Sequence, residues 1–166
     1  MATITLHGLP IHTAGDLPKI GSKAPGFRLT KKDLTDISLS DYSGHKVLLN
    51  IFPSIDTGIC AMSVRRFNAE ASNLGDVQVL CISRDLPFAH ARFCGAEGID
   101  RVESLSILRD LNFGKDFGTE IIDGPMAGLM ARVVIILDEE GIVRYVQVVP
   151  EIGQEPDYEA ALNALK

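Results

Sequence analysis

Tryptophan is absent from this 166-residue sequence, and aromatic residues make up only 6% of it. With 16 Lys+Arg against 22 Asp+Glu there is no basic excess either. Few stacking surfaces and a net charge of -6 exclude a single-strand-binding platform and a basic face for duplex, so nucleic acid is not an expected partner. No apolar run approaches the roughly 18 residues that a membrane span needs. The longest, Val133-Val134-Ile135-Ile136-Leu137, reads as a buried strand, and no membrane association is expected. Met1 to Gly8 lacks the basic and apolar regions of an export signal, which makes a reducing cytoplasm the expected location. Neither G-x-x-x-x-G-K-[ST] nor G-x-G-x-x-G occurs, so no phosphate-cradling loop is expected. Cys-x-x-Cys is missing as well, which disfavours both a zinc site and a thioredoxin-type disulfide exchanger.

What remains is an ordinary globular composition, 46% hydrophobic and 23% charged. The length suits one domain, residues 1–166, large enough to fold around a core without staples. Three cysteines, an odd number, do not make a disulfide framework. Thr3–Leu6 and Pro10–Thr13 flank a plausible hairpin turn, and Phe27–Leu29 with Ile37–Leu39 suggest a second strand pair. From Val47 onward strands and helices alternate. Val47–Phe52 and Val77–Ile82 read as strands, with a helix from Thr57–Cys60 towards Leu74 between them. A helix from Pro87 to Phe93, ending near Gly95 or Gly98, comes next. Ser104–Ile107 reads as a strand, Asp110–Phe117 as a helix, Arg132–Asp138 and Ile142–Val148 as a hairpin, and Pro156–Leu165 as a final helix. The class is α/β: a central sheet with helices on its faces and an extra N-terminal hairpin.

Cys60 carries the most chemical information. Thr57 is a suitable N-cap, which puts Cys60 in the first turn of a helix, where unpaired N–H groups and the macrodipole favour an anion. Such a position suits a nucleophilic thiolate. It equally suits a small apolar residue packed beneath a helix start. Cys81, alternating with Val77 and Val79, reads as strand core. His90 and Cys94 share a helix face at zinc-ligand spacing, but His7, His12 and His45 lie far away in sequence. The apolar loop Gly124–Met130 is open to two readings, a contact for an organic ligand or a loop packed on the core. Arg132 by position alone is a strand-start arginine at the surface.

The run Pro53-x-x-x-Thr57-x-x-Cys60 resembles the peroxidatic-cysteine motif of peroxiredoxins. The longer stretch from Asn50 to Cys60 is closer to the bacterial thiol peroxidase branch, the atypical two-cysteine peroxiredoxins. The similarity continues through Leu80–Ser83, Asp85–Ala89, Arg92–Gly98, Asp123–Pro125, Ala131-Arg132 and Glu155–Ala160, so it spans essentially the whole chain. It implies a thioredoxin-like fold, a central mixed sheet flanked by helices, and reduction of hydroperoxides without metal or organic cofactor. By that resemblance Cys60 is the peroxidatic cysteine and Cys94 the resolving one, joined after turnover as an intramolecular disulfide. Thr57 positions thiolate and peroxide, Pro53 shields the sulfur from water, and Arg132 supplies a fixed guanidinium. Thioredoxin is the implied reductant and a homodimer the implied assembly. A thioredoxin-fold redox sensor, with an oxidisable Cys60 but little turnover, and a zinc-stabilised domain using His90 are the competing readings.

Overall fold

The computed structural model describes residues 1–166. Its N-terminal hairpin pairs β1 (Thr3–Leu6) with β2 (Leu9–His12), and His7 and Gly8 take the two positive-φ positions that such a two-residue turn requires. A second sheet of seven strands holds β3 (Arg28–Lys31), β4 (Asp36–Ser38), β5 (Val47–Ile51), β6 (Gln78–Ser83), β7 (Glu103–Ser106), β8 (Val133–Leu137) and β9 (Val143–Val148). Their order is β4-β3-β7-β6-β5-β8-β9. β5, β6 and β7 run parallel to their neighbours in that trio, while the flanking pairs are antiparallel. The mixed sheet, the helices and the separate hairpin are as the sequence led us to expect.

Three α-helices connect these strands and a fourth follows the last of them: α1 (Gly58–Ala71), α2 (Pro87–Glu97), α3 (Phe113–Asp116) and α4 (Tyr158–Ala164). The central strands are buried on both faces, and their alternation divides the core in two. Leu49, Ile51, Leu80, Ile82 and Ile135 join Phe27, Phe113 and Phe117 on one face, where Ile4 and Ile11 of the hairpin also pack. Leu48, Val79, Cys81 and Val134 join Val64, Phe67, Phe93 and Tyr158 from α1, α2 and α4 on the other. Cys60, Cys81 and Cys94 all lie in this second cluster. The third helix is shorter than the eight residues expected from Asp110 to Phe117. Asp110 instead makes a tight turn, its N–H reaching the Ile107 carbonyl while its carboxylate accepts the Arg28 N–H, so helical bonding begins only after Asn112.

Candidate active site

Three pieces of chain meet at the carboxyl end of β5. The first is the segment from Phe52 to Thr57 that enters α1. Pro53 and Ile55 are buried on it, while Thr57 is exposed at the surface. Thr57 is the N-cap: its backbone is extended, its hydroxyl donates to the Ser54 carbonyl at 3.1 Å, and its Oγ1 accepts the Cys60 N–H at 3.4 Å. Cys60 therefore stands in the first turn of α1 with its side chain fully buried. One turn on, the Ser63 hydroxyl donates to the Cys60 carbonyl at 2.8 Å and accepts from Asn50 Nδ2 at 3.2 Å, so strand β5 braces the helix start from below.

The second piece is Arg132. Strand β8 runs antiparallel to β5 with Val133 opposite Ile51, which sets Arg132 beside the chain leaving β5. Its side chain is 1% exposed, so the surface reading from position alone is wrong. A buried guanidinium is costly unless its donors are used. Here Nε and Nη2 donate to the Ile152 carbonyl at 3.2 and 2.9 Å, and Nη1 donates to Cys60 Sγ at 3.3 Å. The carbonyl fixes the fork, and the fork holds a full positive charge against the sulfur.

The third piece is Asp85, in the turn from β6 into α2. Its carboxylate accepts from the Ile55 N–H at 2.7 Å, the Ser54 hydroxyl at 2.8 Å and the Ser83 hydroxyl at 2.5 Å. Burial alone would raise this carboxyl, but hydrogen bonding from the His90 side, Ser83, Ile55 and Ser54 outweighs it and holds the group down at about 2. Asp85 is thus an anion that fixes the segment leading to Cys60.

Cys94 lies in the last turn of α2, nearly fully buried, with its Sγ 3.3 Å from the Ser104 hydroxyl of β7. It shares an apolar cluster with Cys60 but sits on a separate helix, and all three cysteines are free thiols. Cys81 faces the same cluster from β6, where burial pushes its thiol up to about 12 and Asn50 Nδ2 approaches its sulfur at 3.7 Å. His90 bonds Ser83 and Cys94 bonds Ser104, and no three His, Cys, Asp or Glu side chains stand close enough to hold a metal ion. The Gly124–Met130 loop packs Met126 and Met130 against the cluster on the far face of the sheet from Cys60.

Of the residues singled out in the sequence, Thr57, Cys60 and Arg132 come into direct contact, and Pro53 is buried between β5 and the cap. Asn50, Ser63 and Asp85 are not singled out individually by the sequence, and His90 stands out there only as a possible zinc ligand. A polar Asn inside the apolar run Val47–Phe52 was the one local signal of that network, since a buried polar group needs partners.

Residues 19–162 match the family described as Redoxin. The thiol peroxidases of Mycobacterium tuberculosis and Mycobacterium bovis are each 56% identical to the chain over 165 residues, covering 99% of it and 99% of each relative. Among solved structures, a peroxiredoxin-like protein from Aquifex aeolicus is similar at a TM-score of 0.94 and 35% identity, over 99% of this chain and 96% of that one. Thiol peroxidase from Chromobacterium violaceum gives a TM-score of 0.91 at 22% identity, over 98% of this chain and 94% of its own, which speaks for the fold alone.

Proposed function

The chain belongs to the redoxin family as a peroxiredoxin-type peroxidase that reduces peroxides in antioxidant defence, and from that premise we propose that Cys60 is its peroxidatic cysteine and Cys94 its resolving cysteine. The Cys60 thiolate attacks the terminal peroxide oxygen. The S–O bond forms as the O–O bond breaks, and the leaving oxygen takes a proton to depart as alcohol or water, leaving a sulfenic acid. Arg132 Nη1 stabilises the negative charge that passes from sulfur to the departing oxygen, a charge the fixed guanidinium meets without reorganising. Thr57 orients thiolate and peroxide, and Pro53 keeps bulk water from the sulfur. The observation that carries this reading is the contact between Arg132 and Cys60 at the start of α1. A sensor with little turnover has no need of a buried guanidinium held on two bonds to one carbonyl.

Cys94 then closes the cycle by displacing the sulfenic oxygen as water, and a dithiol protein such as thioredoxin reduces the resulting disulfide. The expected substrates are hydrogen peroxide and organic hydroperoxides, turned over by one domain without a cofactor. The cytoplasm is the proposed location, since a reducing milieu keeps the thiols ready, and no helix is long and apolar enough to cross a membrane. We also propose a homodimer. Leu86, Phe88, Leu108 and Leu111 are exposed where the parallel strands β6 and β7 end, and a second copy would cover them.

Peroxide consumption coupled to thioredoxin and its reductase tests the assignment. Cys60→Ser should abolish turnover. Cys94→Ser should retain one round of Cys60 oxidation and lose the rest. Unchanged turnover in Cys60→Ser ends this reading, and a peroxide-induced intramolecular disulfide in Cys94→Ser would hand the resolving role to Cys81.

A further inference from the structure

Asp85 has no part in the peroxide step, yet it is the most heavily bonded carboxylate near the two helices that carry Cys60 and Cys94. On one side it holds Ser54 and Ile55, four and three residues before Cys60's helix begins at Gly58. On the other it accepts from Ser83, whose hydroxyl is in turn 2.9 Å from His90 Nε2. His90 is buried on α2 one helical turn before Cys94, and its Nδ1 has no partner, so the ring is anchored only through Nε2, which bonds Ser83 and lies 3.8 Å from the Asp85 carboxylate. The Asp85 backbone is fixed as well, its carbonyl accepting from the Ser106 hydroxyl at 2.5 Å. We propose that Asp85 is a positioning residue that latches the segment leading to Cys60 onto the start of the Cys94 helix, and that opening this latch sets the rate of disulfide formation.

The inference rests on the Cys60–Cys94 reading above. In the resolving step the Cys94 sulfur attacks Cys60 Sγ of the sulfenic acid. An S–S bond forms, the S–O bond breaks, and the oxygen leaves as water with the Cys94 proton; one sulfur is reduced as the other is oxidised. Disulfide geometry requires the two Cα atoms to come within about 7 Å with converging side chains. Cys60 stands in the first turn of α1 and Cys94 in the last turn of α2, both sulfurs buried and each with its own polar neighbour, so for the two to converge α2 must loosen from the start of α1.

Two ion pairs also cross the gap, Arg92 to Asp56 at 2.6 Å and Arg65 to Glu97 at 2.7 Å. Both are exposed, and exposed pairs hold little. The Asp85 side chain is only 11% exposed and gathers charge-assisted hydrogen bonds from both sides, which makes it the stronger restraint. Loosening it acts unequally on the two chemical steps. A closed form that dominates the population still dominates after a modest shift, whereas the rare open form rises in direct proportion.

The test separates the two steps by rapid chemical quench, sulfenic-acid trapping and mass spectrometry, since the chain has no Trp to report on them. In Asp85→Asn, disulfide formation after one equivalent of peroxide should accelerate by about tenfold or more, while peroxide attack on Cys60 is not accelerated. Over-oxidation to sulfinic acid at high peroxide should fall accordingly. Ser54→Ala removes a single bond to the latch and should accelerate the same step by a smaller factor, which keeps the test available if Asp85→Asn folds poorly. Val143→Ala, a core truncation in the other apolar cluster, serves as the control for general destabilisation and should leave the step unchanged. Resolution no faster in Asp85→Asn and Ser54→Ala than in wild type, or equally accelerated in Val143→Ala, overturns the latch. Failure of wild type to form a Cys60–Cys94 disulfide overturns the underlying assignment instead.

Discussion

Arg132 shows how much one side chain can carry. It is among the largest fully buried side chains of the molecule, and its donors divide between the Ile152 carbonyl and the Cys60 sulfur. Lysine keeps the charge but cannot serve both acceptors with a planar fork. We therefore expect Arg132→Lys to slow the second-order reaction with peroxide by about a hundredfold and Arg132→Met by up to about a thousandfold, the range for losing a preorganised charge at a transition state. Competition against a peroxidase of known rate measures both, and a loss under threefold in Arg132→Met would remove Arg132 from the chemistry. Cys81 is the opposite case. Its thiol, pushed up to about 12 by burial, stays neutral at working pH, and no cation approaches it. Cys81→Ala should leave peroxide turnover within about twofold of wild type while costing on the order of 1 kcal/mol of stability for the lost sulfur. Alkylation of the native protein should spare Cys81, a result readily mapped by peptide mass spectrometry.

The elements most exposed to redox change are α1 and α2. The disulfide would close a loop from Cys60 to Cys94, which chain entropy alone values at roughly 4 kcal/mol. Against that gain stand the buried contacts of Phe93, His90 and both sulfurs, which the two helices must give up to meet. Helix α2 is suited to yield, since it ends on Gly98 in the left-handed conformation. Limited proteolysis should therefore cut the oxidised protein faster than the reduced one between Phe88 and Gly98, and equal resistance of the two forms would contradict local unwinding. The start of α1 was legible from sequence because its determinants are local: a Thr at the cap, Pro53 ending the strand, helical spacing of Val64 and Phe67. The third helix is shorter than its spacing implies because the Asp110 carboxylate is taken by the Arg28 N–H, a partner 82 positions away, and its backbone closes a turn onto Ile107. Arg132 looked like a surface residue because its acceptors are 20 and 72 positions away. Asp85 was invisible for the same reason: Ser54 and Ile55 lie about 30 residues upstream, and only the parallel pairing of β5 with β6 brings the two strand ends together.

At the scale of the whole molecule, stability is coupled to pH through the same buried carboxylate. Two apolar clusters hold the sheet from either side with no covalent staple, so a change of a few kcal/mol is a large part of the total. Asp85 is held at about 2 in the fold against an ordinary 3.8, so the native state binds this proton less readily than the unfolded chain. A depressed carboxyl contributes stability that is complete above its unfolded value and vanishes as pH drops through its folded one. The window here is therefore from about pH 5 down to about pH 2, and the contribution at stake is about 2 kcal/mol. Asp36, Asp123, Asp138 and Glu97 are also lowered, by hydrogen bonds and neighbouring cations, but they are common to wild type and variant and cancel in the comparison. Urea unfolding of wild type and Asp85→Asn should accordingly differ most near neutral pH, with the two stabilities converging as pH falls towards 2. Parallel acid slopes in the two proteins would mean that Asp85 is solvated in the native state, and with it the latch between the two cysteine-bearing helices would lose its physical basis.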